Sequence, residues 1–294
     1  MTPWDIAEKT VVVTGGTTGI GRATVEGLAG KGATVIFTAR SAADGDAVVE
    51  SVLAKNPDAG ISHREVHLDD LASVRSFAGS LRSDLNRLDV LINNAGVSLT
   101  ERRTTVDGNE LMFGVNHLGH FLLVEELRDL LAASAPSRII IVASDAHKMG
   151  GPIDFDDLQS ERTKFGVVGG MKAYGRSKLA NLLHMKELAR QLDGTGVTVN
   201  AVHPGFVRTR IARDTEATKL GERVVWPLIG RFARSPEEGA ATSIYLACSP
   251  DVGEVSGSYF VDEAVVKPNS NATSKSAATQ LWGASETLTA DLPR

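Results

Sequence analysis

The chain has 294 residues, 42% of them hydrophobic, and its 31 Lys and Arg against 36 Asp and Glu leave a net charge of −5. That supports a large core and argues against a nucleic-acid surface. A single cysteine, Cys248, excludes an internal disulfide framework and a cysteine-based metal cluster, and the seven histidines lack metal-ligand spacing.

Along the chain, short apolar runs alternate with helical patterns. Strands are expected at 10–14 (TVVVT), 33–39, 62–68, 88–93, 138–143, 197–202 and 256–261. Most are nearly continuous runs of Val, Ile and Leu, as parallel strands covered on both faces require. Helices are expected at 19–30, 44–55, 71–84, 108–133, 172–193 and 236–248, the last opened by Ser235, Pro236 and Glu238 as a capping box. This alternation predicts a doubly wound α/β sheet with helices on both faces, in one domain over 1–294. Polar residues 264–276 should wrap the surface before a last helix near 276–288, in a C-terminal extension over 264–294. The Asn-Ala-Thr triplet at 271–273 is an idle glycosylation match. With no secretory leader and no run of about 18 apolar residues, a cytoplasmic protein is expected.

Residues 11–29, VVVTGGTTGIGRATVEGLA, read as strand, glycine turn, helix. Gly15, Gly19 and Gly21 let the backbone turn sharply and approach a pyrophosphate, which the helix N-terminus then faces with free N–H groups and a positive dipole end. In this context the turn is a dinucleotide cradle, with Thr17, Thr18 and Ile20 beside the glycines. A second strand that carried NAD would end on an acidic residue for the ribose hydroxyls. Here it ends FTARSAADG, with Arg40 one place past the strand. A guanidinium favours a 2′-phosphate, so NADP(H) is expected over NAD(H).

The stretch AYGRSKLAN (173–181) places Tyr174 and Lys178 one helical turn apart on one face. Together with TGGTTGIG (14–21), NNAG (93–96), Asn116, Ser144 and HPGFVRT (203–209), it resembles the short-chain dehydrogenase/reductases over nearly the whole chain. TTVDGNELMFGVNHLGHFLL (104–123) and the C-terminal stretch are similar to the retinol dehydrogenase and protochlorophyllide reductase subgroup.

The resemblance implies a seven-stranded Rossmann sheet in the order 3-2-1-4-5-6-7 and hydride transfer between a nicotinamide and a carbonyl or alcohol. It makes Tyr174 the general acid–base. A free phenol has a pKa near 10, and the Lys178 ammonium beside it would lower this by about 1–3 units. By the same match Lys178 bonds the nicotinamide ribose, Ser144 the substrate oxygen, and Asn116 a water of the proton relay. Ser144 as a strand-end cap and Asn116 as a partner for backbone groups are the plainer alternatives. Asn94 would tie strands together while Ala95 and Gly96 leave room for the cofactor. Pro204, Gly205, Val207 and Thr209 would surround the nicotinamide carboxamide. His203 reads as structural, and His117 and His120 as solvated or packing residues.

The sequence departs from the family pattern in three places. The adenine contact falls on His67 and Leu68 or, with a shorter turn, on Asp69. The spacing between Ser144 and Tyr174 adds an insert at 145–172, expected as an extra turn or helix over the site; in some relatives such inserts cover the face used to dimerise, so monomer and homo-oligomer both stay open. The apolar N-terminal anchor of membrane-bound retinol dehydrogenases is not found, so no membrane partner is expected. A substrate loop over 206–234, with Trp226, Leu228, Ile229 and Phe232, suits a fairly apolar small molecule. C=C reduction and a cofactor-binding regulator without chemistry are the alternative functions.

Overall fold

A computed structural model of the chain describes residues 4–207 and 233–290. The elements run β1 (Thr10–Val13), α1 (Gly19–Ala29), β2 (Thr34–Ala39), α2 (Ala42–Leu53), β3 (Ile61–Glu65), α3 (Leu71–Asp84), β4 (Val90–Asn93), α4 (Leu111–Phe113) and α5 (Gly119–Ala133). They continue with β5 (Ser137–Val142), α6 (Val167–Gln191), β6 (Val197–His203), α7 (Pro236–Cys248), β7 (Ser258–Val261), β8 (Ala264–Val265) and α8 (Lys275–Thr289).

The strands form one sheet in the order β3-β2-β1-β4-β5-β6-β7-β8. All neighbours are parallel except β7 and β8. Side chains alternate across the sheet. Val12, Leu91, Ile139 and Ile141 therefore pack on one face with apolar residues of α3, α5 and α6. Val11, Val13, Ile92 and Ile140 pack on the other with residues of α1, α2 and α7. The order reverses between β1 and β4, and the carboxyl ends of the strands at that switch point are the usual ligand position of such sheets.

Four expectations are corrected. The sheet has eight strands rather than seven: a two-residue turn at Asp262 and Glu263 brings β8 back antiparallel to β7. The strand expected at 62–68 stops at Glu65, because Asp70 accepts hydrogen bonds from the Ala72 and Ser73 amides and starts α3. The helix expected over 108–133 is interrupted. Glu110 bridges back to Thr104, its carboxylate caps α4 through the Met112 and Phe113 amides, and Gly114–Leu118 is π-helical before α5 begins. Finally, α6 starts at Val167 instead of 172.

The insert before α6 holds one short 3-10 helix, Asp145–Lys148. Its Gln159 ties it to the 102–110 segment, accepting from the Glu110 amide (2.6 Å) and donating to Asn109 Oδ1 (2.9 Å). Trp226, Leu228, Ile229, Phe232 and Thr209 lie outside the described residues.

Candidate active site

The glycine turn after β1 meets its geometric requirements. Gly15 and Gly19 have φ of +69° and +56°, in the left-handed region that side chains disfavour. A Cβ on Gly21 would stand 2.0 Å from the Gly15 carbonyl oxygen, and one on Gly15 3.0 Å from Ala95. The turn is thus pressed against the NNAG segment. Helices α2, α3, α7 and α8 are capped by the side chains of Ser41, Asp70, Ser235 and Ser274. Thr18, which precedes α1, makes no such bond among the described residues. The first N–H groups of α1 are therefore left for an anion, and the cradle fits a dinucleotide pyrophosphate.

Thr14 is the knot below this cradle. Its hydroxyl accepts from the Asn94 and Ala95 amides (2.9 and 3.0 Å), and the Asn94 side chain donates to the Thr14 and Gly15 carbonyls (2.8 and 3.2 Å). Asn94 thus ties β4 to β1, as expected. The Thr14 hydroxyl also meets His120 Nε2 at 2.8 Å, while His120 Nδ1 lies 3.2 Å from the Asn116 carbonyl. A carbonyl only accepts, so Nδ1 carries the proton and Nε2 accepts from Thr14. Burial pushes the His120 pKa down to about 4, which keeps that tautomer neutral. His120 is neither solvated nor simply packed. Its spacing from Asn116, four residues on one helical stretch, is the sequence signal for this link.

Asn116 sits in the π-helical stretch, a distortion often found at functional sites. Its Oδ1 accepts from the Val97 amide (2.8 Å), and its Nδ2 donates to the Val97 carbonyl and to Ser177 Oγ (both 2.9 Å). The side chain does satisfy backbone groups, and it also joins the loop after β4 to α6. Beside it, a Cβ on Gly96 would lie 3.2 Å from Asn116 Oδ1 and 3.5 Å from Lys178 Nζ.

Ser144 follows β5 and caps the 3-10 helix by accepting from the Ala146 amide (3.1 Å). Its hydroxyl also lies near enough to the Tyr174 phenol to favour the ionised form of that phenol. The strand-end capping expected as the plainer role of Ser144 is present. Lys178 is buried, donates to the Val142 carbonyl (2.9 Å), and lies 5.8 Å from the centroid of the Tyr174 ring. The expected depression of the phenol pKa is not found. Burial pushes Tyr174 up to about 12 against the opposing effect of the Ser144 hydroxyl. Burial likewise pushes Lys178 down to about 8.

The remaining predicted positions surround this centre. Arg40 is exposed directly after β2 and forms no ion pair with the described residues. After β3, the His67 imidazole meets Glu65 (3.3 Å), the Leu68 side chain joins the core, and the Asp69 carbonyl accepts from Val106 (2.9 Å). Past β6, Gly205 has φ +83°, and Val207 and Ile20 both approach Gly239 of α7. That contact brings the 204–207 segment to the glycine turn. His203 Nδ1 accepts from the Asp145 amide (3.3 Å), in the structural role expected of it. Exposed apolar side chains occur at Met149, Val167, Val168 and Met171 before Tyr174, and at Phe206 after β6.

Known proteins are similar to this chain in sequence and fold. The family model for short chain dehydrogenases matches residues 9–154, and that for enoyl-(acyl carrier protein) reductases matches residues 160–263. Retinol dehydrogenase 14 of Mus musculus is 44% identical over 290 residues, covering 95% of this chain and 85% of that protein. The crystal structure of an uncharacterized protein from Mycobacterium Paratuberculosis superposes with a TM-score of 0.75 at 33% identity, covering 98% of this chain and 96% of the other. The Pseudomonas aeruginosa RhlG/NADP active-site complex superposes with a TM-score of 0.68 at 26% identity, covering 88% and 97%. The chain therefore belongs to the short-chain dehydrogenase/reductase family, among relatives of the retinol dehydrogenase type, and is an NAD(P)-dependent oxidoreductase of small molecules.

Proposed function

We propose that the protein is an NADP(H)-dependent reductase of apolar aldehydes or ketones, running in reverse as an alcohol dehydrogenase. The observation that carries this reading is the assembly of Ser144, Tyr174, Lys178 and Asn116 at the switch point beside the uncapped start of α1. Gly15, Thr17, Thr18, Gly19, Ile20 and Gly21 would hold the pyrophosphate, Arg40 the 2′-phosphate, and Asn94, Ala95 and Gly96 the floor of the pocket. Pro204, Gly205 and Val207 would flank the nicotinamide, while the residues after β3 would meet the adenine. NADP(H), when bound, supplies or takes the hydride.

Tyr174 holds the proton. Its raised pKa keeps the phenol protonated at neutral pH, the form a reduction needs as it hands that proton to the new alkoxide oxygen. The Ser144 hydroxyl, beside the phenol, would donate its one proton to the same oxygen and fix the carbonyl near it. Lys178, held by the Val142 carbonyl, orients the ribose and replaces the proton through Asn116. Met149, Val167, Met171 and Phe206 are exposed apolar side chains in the segments that lead to Tyr174 and leave β6, and would suit a hydrophobic substrate. Retinal is one such aldehyde to try, given what the Mus musculus relative's name says it oxidises.

The test is NADPH consumption over a panel of aldehydes, ketones, enones and quinones, repeated with NADH. Turnover of apolar aldehydes with NADPH preferred supports the proposal. Turnover of enones at the C=C bond alone, or none of the panel, rejects it.

A further inference from the structure

Asp262 and Glu263 are non-glycine residues with φ of +50° and +62°, and they form the two-residue turn between β7 and β8. A hairpin of this kind wants Asn-Gly, because both positions need left-handed backbone. An Asp-Glu pair there is strained. The Asp262 carboxylate grips Arg234 through two hydrogen bonds, the Nη2–Oδ2 one at 2.9 Å and the other to Nη1. The pair is exposed enough for water and salt to weaken it, so it does little for folding.

What the pair does is fix Arg234 against Gly205. A Cβ on Gly205 would lie 2.7 Å from Arg234 Cδ and 2.9 Å from its Nη1. The Arg234 amide donates to the Phe206 carbonyl (2.8 Å), and Val207 forms a bridge with Arg234. Arg234 thus bears on the 205–207 backbone through its side chain and its main chain together. Gly205 is left-handed and has no side chain of its own to set its position.

We propose that the Arg234–Asp262 ion pair is a clamp that positions the Gly205–Val207 backbone against the nicotinamide half of the cofactor. Asp262 and Arg234 are positioning residues. The inference rests on the placement of the nicotinamide beside 204–207 given above, and it assigns that placement to a turn at the far edge of the sheet.

The experiment compares the full chain with Asp262→Asn and Glu263→Gly. Asn suits left-handed backbone at least as well as Asp, so Asp262→Asn should keep or raise the melting temperature while it removes the charge and one of the two acceptors of the clamp. Binding of NADPH, followed by its fluorescence, should weaken about 3-fold, the reach of an exposed ion pair. Binding of 2′-phospho-ADP-ribose, which has no nicotinamide, should stay unchanged. Glu263→Gly relieves strain without touching the clamp, so it should raise the melting temperature and bind NADPH like the parent. Equal NADPH affinity of Asp262→Asn and parent overturns the clamp, as does an equal weakening for both ligands. A parent that does not bind NADPH overturns the cofactor placement itself.

Discussion

Two buried polar clusters leave the same distorted helical stretch on opposite sides, and they are built differently. Toward the switch point, Thr14, Asn116, Ser177 and His120 form a network in which both His120 nitrogens and the whole Asn116 amide have partners. Toward α8, His117 and His184 stand 5.6 Å apart between ring centroids, packed with Phe121 and Trp282. His117 donates to or accepts from Ser285 of α8 at 2.8 Å, yet its Nδ1 and the His184 Nε2 have no partner among the described residues. A satisfied network fixes geometry, whereas unpaired buried nitrogens cost stability. The first cluster holds the loop after β4 and α6 in fixed relation through Asn116. The second glues the C-terminal helix to the body through aromatic and apolar contact.

The largest expected effect lies at the outlet of the satisfied cluster. Tyr174→Phe should lower turnover by about 10²–10⁴-fold, the usual worth of general acid–base catalysis, with NADPH affinity retained. Turnover kinetics beside a binding titration check this, and comparable turnover in the variant rejects the acid–base role.

Acid acts on both clusters. His120, His117 and His184 have pKa values below that of a free imidazole, mainly through burial. The unfolded chain takes up protons at these sites below about pH 6.5, while folded His120 does so only near 4 and His184 near 3. Stability therefore falls as pH drops through this window, by on the order of 3 kcal/mol from His120 alone. Denaturant midpoints measured from pH 7 to pH 4 should decline accordingly.

Single substitutions should then separate the clusters by sign. His120→Leu strips the Asn116 carbonyl and the Thr14 hydroxyl of a partner, at a cost of about 1–3 kcal/mol. His184→Leu removes an unpaired buried nitrogen and should be neutral or stabilising by up to about 1 kcal/mol. Equal losses in thermal or denaturant unfolding would show that the two clusters do not differ as their hydrogen bonds indicate.

The site was largely legible because its parts are local. The strand-turn-helix at Gly15, Gly19 and Gly21 and the one-turn spacing of Tyr174 and Lys178 can be read without knowing what packs on them. Helices α3 and α7 begin at Leu71 and Pro236 as read, because Asp70 and Ser235 cap them from adjacent positions. Less legible was the helical stretch around Asn116. Its interruption depends on a bridge between Thr104 and Glu110 and on Val97 reaching Asn116 from the loop after β4. The effect of Lys178 on Tyr174 was misjudged, since spacing shows proximity along a helix but not the Val142 carbonyl toward which the ammonium turns.

By itself the sequence determined the alternation of strands and helices, the glycine turn after β1 and the four candidate residues Asn116, Ser144, Tyr174 and Lys178. Those follow from hydrophobic period, glycine conformation and side-chain chemistry, which act within a few residues. Only the tertiary structure decided the eighth strand, the upward shift of the Tyr174 pKa and the partners of His120 and Asp262. Each of these depends on burial and on partners distant in the chain, and desolvation is set by what the whole fold places around a group.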